Sequence, residues 1–279
     1  MKRKVKTKVK GFRTTDGAGV KLVRVLRNLT TKEFDPILML DSFDSINPDD
    51  YTAGFPMHPH RGIETISYVS RGKMVHRDSL GNEAGISDGE VQWMNSGSGI
   101  MHEEMVPAAE RLLGVQLWLN LPAKDKMSKP SYNSIKNEDI KEIEIEGGKI
   151  RLLAGKYGEH EGYKGDYLSM DYYDIHLNAD AEVTLTMEED DSVMVFTLLG
   201  DVYIDGEHIE EKTAVKLTEG DSLTIKNGNE KAQVLYMNSR ALNEPVAWAG
   251  PIVMNTQEEL QKAFLELRSN TFIKETAEY

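Results

Sequence analysis

The sequence predicts an all-β protein made of two barrel-like halves. Three observations predict it. Short alternating or apolar runs recur between Gly, Asp and Asn punctuation, the pattern of a sandwich or barrel. The second half repeats the turn spacing of the first. A single helix is signalled, close to the C-terminus.

Met1 to Lys10 carries six Lys/Arg, and Lys4, Lys6, Lys8 and Lys10 alternate with Val5, Thr7 and Val9. That alternation predicts a solvated edge strand, where lysines also discourage edge-to-edge pairing. Further strands are expected at Val20–Leu26, Ile37–Leu40, Thr65–Val69, Gly114–Leu119, Ile140–Ile145, Val193–Leu199 and Val234–Met237. Turns are marked by Asp16-Gly17, Gly81-Asn82, Asp88-Gly89, Gly147-Gly148, Asp205-Gly206 and Asn227-Gly228. The polar, proline-bearing stretch after Leu121 places a boundary between about 120 and 150. The expected domains are residues 1–130 and 131–279. Gly72 and Gly89 of the first half match Gly200 and Gly220 of the second, as in a duplicated barrel. His58 and His60 precede Gly72 by 14 and 12 residues; the same offsets before Gly200 give Thr186 and Glu188. The second copy has therefore lost its histidines. Near the end, Thr256 and Glu259 form a Thr-x-x-Glu capping box. Leu260, Phe264 and Leu267 then follow at helical spacing, a packing stripe.

Composition removes several function classes. The chain has 279 residues and no cysteine, so disulfides, thiolate metal sites and cysteine nucleophiles are excluded. No apolar run approaches the roughly 18 residues that span a bilayer. The basic start lacks the apolar core of a secretory signal, so a soluble, cytoplasmic protein is expected. A net charge of −13 argues against general nucleic-acid binding.

His58-Pro59-His60 and, about forty residues on, His102-Glu103-Glu104 carry the chemistry. Residues two apart on a strand point to one face, so each pair can aim two ligands at one point. Three imidazoles and a carboxylate suit a first-row transition metal such as Fe(II), with other divalent metals as alternatives. Glu64 is read as a supporting or core carboxylate. His76, His160, His176 and His208 are read as exposed or hydrogen-bonded, without ligand partners. Phe55 and Met57 flank the ligands and are candidates to line an aromatic cavity. Trp93, Met94, Met101 and Met105 are expected in the core. Gly97-Ser98-Gly99 is read as a bend ahead of the ligand strand, and Glu188 to Asp191 as a solvated acidic turn.

Phe55-Pro56-x-His58-Pro59-His60-Arg61-Gly62-x-Glu64-Thr65, Gln92-Trp93-Met94 and Gly97-x-Gly99-Ile100-x-His102-x-Glu104-Met105 together resemble the pirin family of the cupin superfamily. The ending, Glu244-Pro245-Val246-Ala247 and Gly250 to Thr256, resembles the family's C-terminal signature. The resemblance implies a bicupin of two facing jelly-roll barrels, with metal, usually iron, only in the first. It implies His58, His60, His102 and Glu104 as ligands. Some pirins resemble quercetin 2,3-dioxygenases, which implies a flavonol-like aromatic substrate and dioxygen, with Glu104 as catalytic base. Other members act as transcription cofactors or partners of metabolic enzymes. A metal-dependent regulatory binding protein, with a protein partner, is therefore the competing expectation.

Overall fold

A computed structural model describes residues 1–275. It is almost entirely β, with two short 3-10 turns and one α-helix, Gln257–Arg268, among the described residues. The chain divides into two compact units. Each is a seven-stranded antiparallel sheet packed on a four-stranded one.

The metal-motif unit comprises residues 13–31, 37–136 and, of the described residues, 242–275. Its large sheet runs in the order Ser131–Ile135, Glu90–Asn95, Ile63–Arg71, Leu112–Asn120, Ile37–Ser45, Val20–Leu26, Phe12–Asp16. Its small sheet runs Phe55–His60, Ile100–Met105, Lys73–Asp78, Glu83–Ser87. Val20, Leu22, Phe43 and Val69 of the large sheet meet Met74 and Ile86 of the small one in a buried core. Ile63–Arg71 and Leu112–Asn120 lie at the centre of the large sheet, which is why both are buried along nearly their whole length.

The second unit comprises residues 1–12, 32–36 and 137–241. Its sheets repeat the same plan, strand for strand. Glu182–Thr186 and Ser222–Asn227 take the places that Phe55–His60 and Ile100–Met105 take in the first unit. Their inward residues are Val183, Leu185, Leu223 and Ile225, packed with Val195, Val215 and Val234. The duplicated barrel therefore holds hydrocarbon where the first holds imidazole. Each such buried Val, Leu or Ile stabilises the unit by roughly 1.5–3 kcal/mol relative to exposure. Counting offsets had set Thr186 and Glu188 opposite His58 and His60. Thr186 does end the corresponding strand, but Glu188 lies beyond it in a turn. Turn lengths differ between the halves, so a count along the chain slips.

The expected cut into residues 1–130 and 131–279 misassigns both ends of the chain. Val5–Lys10 pairs with Thr213–Leu217 at the edge of the second unit's large sheet. Leu242 onward belongs with the first unit. Backbone pairing explains the return: Val253 N–H donates to Arg61 O at 3.1 Å. Arg61, 2% exposed, donates to the carbonyls of Ser98 (2.7 Å) and Phe272 (2.9 Å) and pairs with Glu266 at 2.8 Å. The helix is capped as expected. Thr256 Oγ1 accepts from Glu259 N–H, and the Glu259 carboxylate accepts from Thr256 N–H.

Two surface expectations are corrected by one residue. Arg3 takes an inward position in the N-terminal alternation and is 1% exposed rather than solvated. Its guanidinium donates to the carbonyls of Glu188, Glu189, Asp191 and Thr218 at 2.8–3.2 Å. The acidic turn is therefore clamped through its backbone rather than simply solvated. Met105 also departs from the core expectation, at 41% exposed. It is the last residue of the Ile100–Met105 strand and points away from the buried side.

Removing the Arg3 clamp takes a donor from the part-buried carbonyls of Asp191 and Thr218, which costs about 1–3 kcal/mol per group when uncompensated. Arg3→Ala is expected to lower the urea midpoint of the second unit, a loss of roughly 2–4 kcal/mol overall. Arg3→Lys should recover only part, because one ammonium cannot span four carbonyls. Circular dichroism through a urea titration measures both.

Candidate metal centre

His58 and His60 stand on the edge strand of the small sheet; His102 stands on the next strand, directly paired with His58. Two-residue spacing puts His58 and His60 on one face, and antiparallel pairing brings His102 to it. The ligand atoms of the three rings lie within 4.8 Å of one another. His58 Nε2 and His60 Nε2 are 3.1 Å apart.

Each ring is tied from behind. His58 Nδ1 is 2.8 Å from Pro56 O, and His60 Nδ1 is 3.0 Å from Pro251 O. A carbonyl only accepts, so both Nδ1 atoms carry the proton. His102 Nδ1 faces His76 Nδ1 at 3.4 Å. Its Nε2 is buried and makes no hydrogen bond among the described residues. Burial, reinforced by the neighbouring His58, pushes His60 down to about 3. Burial likewise holds His102 well below the usual histidine range, with His60 and His58 adding to it. At neutral pH these two rings are uncharged and offer lone pairs.

Glu104 is buried at 1% exposure but stands outside the three-histidine cluster. A bulge separates it from His102 in the pairing with the edge strand. Its carboxylate accepts from Gln92 Nε2 (2.7 Å), Ser67 Oγ (3.3 Å) and Gln116 Nε2, which reaches both oxygens at 3.0 and 2.9 Å. Glu64 accepts from Trp93 Nε1 at 3.0 Å and is 1% exposed, a core carboxylate as read.

A cavity of about 520 Å³ opens beside His58 and His60. Phe55, Trp118 and Trp248 supply aromatic wall, Gln116 reaches it from the Glu104 clasp, and Arg24 stands at the polar side. Trp118 meets His60 edge-on at 5.0 Å and Trp248 at 5.5 Å between ring centres. Arg24 is itself forked between Asp41 (2.9 and 2.7 Å) and Asp16 (2.5 Å). Met57, the other flanking candidate, is half exposed and does not line the cavity.

Among the remaining histidines, His160 is exposed. His176 and His208 pair with Asp174 and Asp201 at 2.7 and 2.9 Å. His76 is hydrogen-bonded, as one of the two readings had it, to Asp78 at 2.8 Å, and it is also fully buried against His102. The signal was present, because His76-x-Asp78 has the same two-residue spacing as the ligand pairs. Gln116 also announced itself, as a lone amide inside the apolar run Leu112–Leu119. Pro251 gave no local signal; its carbonyl, not its side chain, does the work. The glycines around Ser98 do bend the chain. A Cβ on Gly97, at φ +40°, would lie 2.1 Å from Ser128 O.

Two stacked-sheet units, with a histidine cluster in only one of them among the described residues, define a bicupin. The chain belongs to the pirin family: residues 19–119 match Pirin and residues 172–273 match the Pirin C-terminal cupin domain. It is 38% identical to a pirin-like protein of Caulobacter vibrioides, over 95% of this chain and 97% of that one. It is 34% identical to human pirin, over 96% and 93%. A crystal structure of quercetin 2,3-dioxygenase from Acinetobacter baumannii superposes with a TM-score of 0.90 at 30% identity, covering 98% of this chain and 99% of that one. No helix of the described residues is long and apolar enough to cross a membrane.

The buried neutral histidines set a pH dependence. In the unfolded chain a histidine takes up a proton near pH 6.5; folded His60 does not until about 3. Its contribution is therefore complete above about 6.5 and is lost as pH falls toward 3, by up to about 1.4 kcal/mol per pH unit. The metal-free wild type is expected to lose stability between pH 6.5 and 4 more steeply than His60→Asn. Urea midpoints across that range measure the difference.

Proposed function

We propose that His58, His60 and His102 hold one divalent metal, Fe(II) foremost, and that the protein opens flavonol-type aromatic substrates with dioxygen. One observation carries the metal reading. The ligand nitrogens of the three rings lie within 4.8 Å of one another, and among the described residues His102 Nε2 is buried without a hydrogen-bond partner. Two bare nitrogens 3.1 Å apart repel unless a cation lies between them. Three protein imidazoles also leave coordination positions open, as a catalytic site requires. When bound, the metal supplies Lewis-acid charge next to the substrate oxygens.

The rest falls to the chain's own residues. The cavity volume lies in the range of small-molecule sites, and its walls suit a flat aromatic ring system. Trp118 and Trp248 exclude water beside His60. Glu104 is assigned as fourth ligand and as the base that takes the substrate's hydroxyl proton. Gln92 and Gln116 donate to its oxygens, and exchange of one of them frees an oxygen for either role.

The reloaded protein is expected to carry one metal per chain by elemental analysis, since the second unit's equivalent strands are filled by Val183, Leu185, Leu223 and Ile225. His102→Ala should empty the site while far-UV circular dichroism stays native. Glu104→Gln should keep much of the metal and lose flavonol-dependent oxygen uptake by about 10²–10⁴-fold, the usual worth of a general base. Full uptake in an iron-loaded Glu104→Gln protein would remove the base from the account. Absence of uptake in the loaded wild type with every flavonol tried would move the reading to a metal-dependent binding protein.

A further inference from the structure

We propose that His76 and Asp78 are positioning residues that fix the proton on His102 Nδ1 and so keep its Nε2 bare and aimed at the metal. The inference rests on the metal reading and extends it to residues that touch neither metal nor substrate.

Asp78 anchors the chain of contacts. Its carboxylate accepts from the backbone N–H groups of Leu80 (2.9 Å) and Asn82 (3.1 Å) and from Asn82 Nδ2 (2.9 Å). Three N–H donors leave it ionised and acceptor-only. His76 Nε2 lies 2.8 Å from its Oδ2, so Nε2 must be the protonated nitrogen. In the neutral ring Nδ1 is then bare. His76 Nδ1 faces His102 Nδ1 at 3.4 Å, at the long end of hydrogen-bond reach, and can only accept there. His102 must supply the proton, which leaves its Nε2 as a lone pair. Asp78 and His102 are direct cross-strand partners, and His76 lies opposite Glu104, so the sheet register itself builds the chain.

The ring of His76 cannot easily turn over. It is 0% exposed and stacks on Tyr132 at 4.1 Å and 15°. Tyr132 comes from the edge strand of the large sheet, paired with Met94. A backbone carbonyl performs the same task for His58 and His60; His102 alone is held through another side chain. Partners that orient a metal-bound histidine typically change metal affinity by 10–100-fold when removed.

Two arms test this. In the metal-free wild type, long-range ¹H–¹⁵N correlation spectra report which ring nitrogens carry protons. The proposal expects Nδ1–H on His102 and Nε2–H on His76. The opposite tautomer on either ring overturns it, whether or not the site ever takes metal. The second arm measures Fe(II) and Ni(II) affinity by competition with a chelator. His76→Phe keeps the ring on Tyr132 but cannot accept a proton, and should weaken binding 10–100-fold with an unchanged circular dichroism spectrum. His76→Gln, whose amide oxygen can accept from Nδ1–H, should regain part of that loss. Equal affinity in wild type and His76→Phe overturns the proposal while leaving the metal reading intact. A wild type that takes up no metal removes the metal reading instead, and the tautomer spectra still decide the proton placement.

Discussion

The structure depends on the backward tethering of three imidazoles. Each Nδ1 is held, by Pro56 O, by Pro251 O and by His76, so each Nε2 turns toward one shared point. An imidazole in a barrel interior would otherwise spend its hydrogen-bonding capacity on whatever lay nearest, at the cost of a fixed geometry. The tether for His60 comes from residue 251, nearly two hundred positions away. That explains why the chain's end returns to the unit that bears the histidines. Arg61, adjacent to His60 and anchored to Phe272 and Glu266, secures the same return.

Two buried carboxylates within this unit have been given different tasks by their neighbours. Glu64 accepts from an indole of the core, Trp93, and has no exposure to the cavity side. Glu104 is clasped by amides, one of which, Gln116, also lines the cavity. An amide is a donor that can be exchanged without moving a formal charge, whereas a lysine or arginine in that place would lock the carboxylate in an ion pair. Gln116 thus links the clasped Glu104 carboxylate to the cavity wall.

The sequence made the fold legible where period and punctuation agreed. Val20–Leu26 occupies the expected residues, and Thr256 caps the helix through the expected box. It made the three histidines legible because strand spacing converts directly into a shared face. It did not reveal which unit each terminus joins. Residues 1–12 and 242–275 are assigned by long-range pairing, which leaves no trace in a local pattern. Arg3 was hidden inside a run of lysines whose alternation it shares, although its guanidinium is the one group there that matches four carbonyls. His76 was discounted for lacking a ligand partner, when the relevant partner was Asp78, two residues on. The contrast between the units was partly visible: the second half plainly lacks histidines, but only the strand correspondence shows apolar residues filling their place.

The central claim is that all three tethered imidazoles bind one metal together. X-ray absorption of the Fe(II)-loaded protein measures the number and kind of ligand atoms directly. The account expects a single metal environment with three imidazoles, at about 2.0–2.2 Å by analogy with imidazole ligation of divalent metals. His60→Ala should reduce that number to two. A spectrum without imidazole scattering, or one unchanged by His60→Ala, would contradict it.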